Sequence, residues 1–226
     1  MLFFLQDLAD NPPALLAYLA AFCVAFVTGI AFHEFSHAWA AYELGDDTAA
    51  RRGRLTLNPI RHLDPMGTVL LLLVGFGWGK PTPVNPYRLR NGPIRGNMMV
   101  AAAGPISNFI FAAIAATPLR MGWIDSVANL NDIANASGEE IIGLFLFFVI
   151  WINIILGIFN LIPIHPLDGF KVVAGVLPSD MARQFMQLAQ WGPMLLIGLF
   201  ALSFTPLNPL GRILGGLGNR IFDLLL

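Results

Sequence analysis

His33, Glu34 and His37 stand together in the stretch "AFHEFSHAWA", residues 31–40. On a helix, residues four apart project from one face on successive turns. Two imidazoles so placed can bind zinc while the glutamate beside the first acts as a general base, the H-E-x-x-H arrangement. A catalytic zinc site usually takes three protein ligands and keeps a fourth position open for water. The third ligand must therefore come from elsewhere in the chain, and Asp168 in "FNLIPIHPLDGFKV" is the candidate. It follows a 27-residue charge-free run, 141–167. Pro163 and Pro166 break the helix there, and Gly169 allows the backbone to turn sharply. His165 precedes Asp168 by three residues and could approach the metal too. A permanent fourth protein ligand would displace the attacking water, so His165 is expected to make at most an occasional, pH-sensitive contact or to stand behind the ligands. The plain alternatives are a polar helix end among lipid headgroups for the first cluster and a helix N-cap for Asp168.

These groups need elements to hold them, and the composition says where those elements lie. Of the 226 residues, 56% are hydrophobic and only 12% charged. With a mean hydropathy of +0.68, the chain carries too little charge for the surface of a soluble domain. Ala14 to Phe32 contains no charge, nor do 96–119, 141–167 and 184–211. The last three runs exceed the ~20 residues that cross a bilayer core of ~30 Å. An all-α, multi-pass membrane protein follows, and ionisable groups inside its helices mark a functional site. Expected helices run from about 14 to 44, 98 to 118, 139 to 162 and 188 to 204. The stretch 210–226, with Arg212, Arg220 and Asp223, reads as a surface helix, and "LFFLQDLAD" could lie along the membrane. No cleavable leader is evident, so Ala14 onward is expected in the mature protein. A lone Cys23 excludes an intramolecular disulfide or a thiolate zinc site. The net charge of −1 points to neither a nucleic-acid nor an acidic partner.

Orientation follows from the basic residues. Eight of thirteen Lys and Arg fall between Leu44 and Gly96, whereas 120–140 carries Arg120 against Asp125, Asp132, Glu139 and Glu140. The first region is therefore expected in the cytoplasm and the second outside. Trp39 and Tyr42 mark the interface, which sets His33 about 9 Å below it, in the cytoplasmic leaflet. Basic flanks on both sides of 65–79, "PMGTVLLLLVGFGWG", argue that this segment does not cross. It reads as a re-entrant or strand-like insertion returning to the cytoplasmic face, tolerable where protein or a wet cavity covers it.

The motifs also carry a resemblance. "HEFSH" and "NLIPIHPLDG" resemble the site-2 protease family of intramembrane zinc metalloproteases. "AYELGDDTAARRGRLTLNP", "DPMGT", "GFGWGKPTPVNP" and "AAGPISNF" resemble its compact branch, without PDZ or CBS domains, over about 30–176. The resemblance implies a three-helix catalytic core holding one zinc ion through His33, His37 and Asp168, with Glu34 activating water. It matches Asn160 and Asn108 to family asparagines that could bind substrate or an oxyanion, although helix packing would explain either. His165 departs from the residue common in that branch. One membrane-embedded domain, 1–226, is implied, with its core about 14–178 and a helical extension about 179–226.

Such a protein would hydrolyse peptide bonds in or near transmembrane segments of other membrane proteins. Its partners would be that substrate and the lipid bilayer of the cytoplasmic membrane, with no nucleic acid. The extended "KPTPVNP" could offer an edge to an unwound substrate strand. Two rivals stand beside this reading: a metal transporter using the same ligands, and an inactive scaffold. A single tight cluster with a base already beside it fits the enzyme better than either.

Overall fold

The computed structural model describes residues 12–74, 77–124 and 137–226. The expected surface segment "LFFLQDLAD" lies outside these residues.

Helix α1, Pro12–Glu43, begins on two prolines, whose missing N–H groups cost nothing in a first turn. It meets no further proline, and it ends where the Asp46 N–H closes on Ala41 O at 2.9 Å around Gly45. A short α2, Thr48–Arg51, follows, and then α3, Pro65–Val74. Helix α4 is Arg95–Arg120. Helix α5, Gly138–Asn160, opens on a capping box between Ser137 and Glu140. Past the proline break come α6, Asp168–Val176, and α7, Ser179–Gln187. The chain closes with α8, Gly192–Ser203, and α9, Pro209–Leu225.

Among the described residues, four helical segments are long and apolar enough to cross a bilayer: Leu15–Glu43, Arg95–Arg120, Gly138–Asn160 and Ser179–Ser203. Helices α1, α4 and α5 form the core. Small residues on two of them, Ala25 on α1 and Ala112 and Ala116 on α4, let Phe148, Ile150 and Ile154 of α5 fill the space between. Lipid tails are as apolar as side chains, so close backbone approach and dispersion drive such association. On the opposite side of α4, Ile106, Ile110 and Ile114 are exposed at four-residue spacing, a stripe suited to lipid.

The insertion returns to its starting face. Leu63 and Gly79 form an antiparallel bridge, and Lys80 N–H donates to His62 O at 2.7 Å. The ten residues of α3 would reach about 15 Å at ~1.5 Å each, half the hydrocarbon core. The descending limb is a helix and not a strand. Asp64 caps it through Gly67 N at 2.9 Å, Pro65 starts it, and its apolar run lacks the two-residue alternation of a strand. Backbones touch where the limbs meet. A Cβ on Gly67 would lie 2.2 Å from Trp78 O, and one on Gly77 2.2 Å from Gly67 O.

A correction concerns the C-terminus. Helix α9 does not lie along the membrane surface but packs lengthwise on α5. The Phe222 ring meets those of Phe147 and Trp151, with centroids 5.4 and 5.8 Å away, and Gly218 is buried against Ile155 and Trp151. Its far end reaches α4, where Arg120 donates to Leu224 O at 3.2 Å. The polar and apolar faces foreseen in the sequence exist, but the apolar one, Leu214 to Leu225, is spent on protein.

Because the bridge sets both ends of the insertion side by side, Thr56 and Tyr87 should share one face of the membrane. Single cysteines there, in a Cys23→Ser background, should react equally with an impermeant thiol reagent from one side only. Labelling of the two from opposite sides would refute the returning path.

Candidate metal centre

His33 and His37 are buried on α1, and Asp168 is buried at the start of α6. Among the described residues they are the His, Cys, Asp or Glu group that could hold a metal ion. His33 Nε2 lies 3.0 Å from His37 Nε2, and each of the two lies 3.1 Å from Asp168 Oδ2. The other nitrogens decide what these atoms can be. His33 Nδ1–H donates to Asn108 Oδ1 at 2.6 Å, and His37 Nδ1–H donates to Val100 O at 2.8 Å. With Nδ1 carrying the proton, each Nε2 presents a lone pair. Two lone pairs and a carboxylate oxygen then face one another in a buried site, an arrangement that repels itself unless a cation sits among them. The donor set, two imidazoles and one carboxylate, is one that zinc takes.

The neighbours on α4 make the approach close. A Cβ on Gly104 would lie 2.5 Å from His37 Nε2 and 2.6 Å from His33 Nε2, so a glycine is required there. Behind His33 runs a buried amide chain. Asn108 Nδ2 donates to Asn153 Oδ1 at 2.7 Å and to Gly29 O at 3.2 Å, and Asn153 Nδ2 donates to Val149 O at 2.8 Å. This corrects the expectation for Asn108. Both its N–H groups are engaged and it is fully buried, so it orients His33 and has no donor left for an oxyanion. Asn160 differs. It lines the cavity beside the cluster, and its Nδ2 donates to Leu156 O at 3.0 Å, which leaves a second N–H. His165 stands outside the cluster. Its ring meets Phe170 at 5.7 Å, its backbone abuts Gly192, and its Nδ1 is buried without a partner among the described residues.

Glu34 lines the same cavity, of about 670 Å³, with both histidines and Asp168. Thr82 fixes it twice. The Thr82 N–H donates to Glu34 Oε2 at 2.8 Å, and the Thr82 hydroxyl donates to Glu34 O at 3.0 Å. Arg54 is buried and faces the carboxylate, Nη2 to Oε2 3.9 Å. The same guanidinium holds the segment 79–84 through Pro81 O, at 3.4 Å, and Lys80 O. It also meets His62 Nδ1 at 3.4 Å, while His62 Nε2–H donates to Thr56 O at 2.7 Å. Burial pushes the His62 imidazole below its ordinary value, and the adjacent Arg54 charge adds to this.

Sequence reasoning alone did not identify Gly104, Asn153, Thr82 or the Arg54–His62 pair. Asn153 had a signal, a polar amide in the middle of a charge-free run. Gly104 lay within "AAGPISNF", where attention fell on Asn108.

The model of peptidase family M50 matches residues 21–201. The chain belongs to this family. It is 39% identical to YwhC of Bacillus subtilis over 87% of its own length and 84% of that protein, whose name places it among zinc metalloproteases. Two proteins named Rip2 and described in the same terms are each 28% identical over 69% of their length. One is from Mycolicibacterium smegmatis, over 81% of this chain, and one from Mycobacterium tuberculosis, over 82%. No solved structure matches. The M50 assignment makes the chain a membrane metalloprotease, and the donor geometry is what such an enzyme needs for zinc.

Two outcomes test this M50 site. Gly104→Ala should abolish zinc retention, and Asn108→Ala should weaken zinc binding ~10–100-fold, the usual effect of losing a group behind a ligand. Zinc titration against a chelator reads both, and an unchanged affinity in Asn108→Ala would sink the orienting role. The second outcome concerns pH. His62 is held neutral when folded but takes up a proton near pH ~6.5 once unfolded. Its contribution to stability is therefore present above that pH and lost as pH falls below it. Thermal unfolding in detergent should show a smaller loss between pH 7.5 and 5.5 for His62→Gln than for wild type. Parallel losses would remove His62 as the cause.

Proposed function

We propose that this M50 metalloprotease hydrolyses a peptide bond within or beside a transmembrane segment of another membrane protein, at a site opening towards the cytoplasm. One zinc ion would be held by His33, His37 and Asp168. The observation that carries the reading is the convergence of two Nε2 lone pairs and a carboxylate within 3.1 Å, with Glu34 on the same cavity wall.

Zinc in that position supplies Lewis acidity towards water and towards the scissile carbonyl. The rest falls to side chains. Glu34 takes the proton of the attacking water and passes it to the leaving amine nitrogen, a transfer for which the Thr82 N–H keeps its carboxylate in place. Asn160 is suited to hydrogen-bond the substrate or its developing oxyanion through the N–H that Leu156 leaves free. Cytoplasmic placement is supported by the basic flanks of α3.

A helical substrate hides its amide groups, so it must unwind before the bond is reached. The stretch 79–84 contributes Gly79, Pro81, Thr82 and Val84 to the cavity lining and forms no helix. Its Thr82 C=O and Val84 N–H have no hydrogen-bond partner among the described residues. An unwound strand beside it would satisfy both chains, the logic of strand addition.

The decisive substitution is Glu34→Gln. It keeps size and helix compatibility, leaves the zinc ligands intact and should lower cleavage of a single-span substrate by ~10²–10⁴-fold. Zinc content should stay near that of wild type, whereas His33→Ala, His37→Ala and Asp168→Ala should lose metal and activity together. Near wild-type cleavage by Glu34→Gln, still blocked by a chelator, would falsify the base assignment. A transporter or scaffold predicts that Glu34→Gln is mild and that only ligand changes matter.

A further inference from the structure

Away from the metal centre, a second concavity of about 430 Å³ lies under the loop that precedes α3. Four cations line it: Arg52, Arg54, Arg61 and Lys80. Arg52, Arg61 and Lys80 form no ion pair among the described residues, and Arg54 is opposed only by Glu34 at 3.9 Å on its inner side. Arg54 is 5% exposed, and its Nε is buried without a hydrogen-bond partner. Four like charges around one hollow repel. That cost is relieved by an anion with several acceptor oxygens, for which guanidinium groups are the preferred partners.

The rest of the wall tells which anion. Asn58, Ile60 and Leu63 complete the hollow. Ile60 is 77% exposed and its neighbour Leu57 is also exposed. Leu63 stands two residues before α3 turns down into the membrane. A soluble phosphate would gain nothing from bare apolar side chains at the rim, whereas a phosphate joined to acyl chains would cover them. From this we infer that the Arg52–Arg54–Arg61–Lys80 hollow binds the phosphate headgroup of an anionic phospholipid, its acyl chains lying over Ile60 and Leu57. The hollow shares Arg54 with the contacts that hold Glu34 and segment 79–84, but Arg52 and Arg61 lie outside them, and the site can be tested without a substrate.

The test uses purified full-length protein in detergent, offered phosphatidylglycerol or phosphatidylcholine and examined by native mass spectrometry. Wild type should retain phosphatidylglycerol and release phosphatidylcholine. Arg52 and Arg61 are exposed, so R52Q/R61Q should fold, and equal zinc content checks that it does. A basic residue at an anionic membrane surface contributes about 1 kcal/mol, so the pair should weaken phosphatidylglycerol retention roughly thirty-fold. R90Q/R95Q removes equal charge from the same face outside the hollow and should retain the lipid. Glycerol phosphate, which has the same acceptor chemistry without acyl chains, should fail to displace it. Unchanged retention by R52Q/R61Q would overturn the site. Equal loss in R90Q/R95Q would reduce it to general surface attraction. Displacement by glycerol phosphate at the lipid's own concentration would overturn the lipid as occupant.

Discussion

Two imidazole Nε2 atoms and a carboxylate oxygen facing one another at 3.0–3.1 Å in a buried site set the terms for the rest of the molecule. In low dielectric each unpaired lone pair is costly, so the cluster depends on a cation at its centre and on hydrogen bonds that keep the ring protons turned away. Those hydrogen bonds come from α4, through Val100 O and Asn108, and so α1 and α4 must approach closely enough for ring nitrogens of one to reach acceptors on the other. Gly104 permits the approach. Asn153 extends the demand to α5, because Asn108 can offer its oxygen to His33 only while its amide protons are satisfied by Asn153 and Gly29. The three-helix packing and the ligand geometry are thus one constraint and not two.

Under the proposed function, hydrolysis adds the opposite requirement, because water and an extended peptide would have to reach a site at membrane depth. Irregular backbone is tolerated there only when protein covers it or a cavity wets it. The segment 79–84 meets this condition with few regular hydrogen bonds of its own. Arg54 accounts for two of its carbonyls, Glu34 for the Thr82 N–H, and Asp46 for the Asn85 N–H at 2.6 Å. Asp46 is fully buried, and although burial raises its pKa, hydrogen bonds from Thr48 and Asn85 hold the carboxyl below its ordinary value. Charged side chains here take the place of a neighbouring strand.

What the sequence disclosed follows from what is costly. His33, His37 and Asp168 in long apolar surroundings have few bland explanations, so their association was legible from spacing and from the proline break. The returning path of the insertion was legible from charge, since basic flanks on both sides disfavour a crossing. Its helical limb was less so, because a ten-residue apolar run fits a buried strand or a short helix until the Asp64 cap is seen. For Asn108 the sequence left a substrate contact and helix packing both open, because an amide can donate or accept and only its partners decide. Gly104 and Asn153 depend on neighbours two helices away, which no periodicity along one helix encodes. Helix α9 shows the limit of amphipathicity. Its two faces are the same whether the apolar one meets headgroups or another helix.

The cavity unites these features by having two unlike parts. One wall carries the ligands, Glu34, Thr82 and Asn160. The remainder is apolar, with Phe22 and Phe26 of α1, Trp151 and Ile155 of α5, and Leu196, Phe200 and Leu214 from the C-terminal helices. Phe22 precedes His33 by eleven residues, or about 16 Å along a helix at ~1.5 Å per residue, so the hollow runs from the polar wall along α1 towards its N-terminus. Such a shape separates the tasks. Under the proposed function, the apolar surface would accept a segment whose side chains are those of a membrane span, and the polar end its exposed backbone. The span Ser179–Ser203 contributes to the apolar wall while burying just 6% of its most apolar window, against 56% for α5. Most of the packing that fixes the ligands is therefore independent of the helices that complete the hollow. The metal geometry can stay rigid on α1, α4, α5 and the start of α6, which carries Asp168, whatever lies against the apolar side.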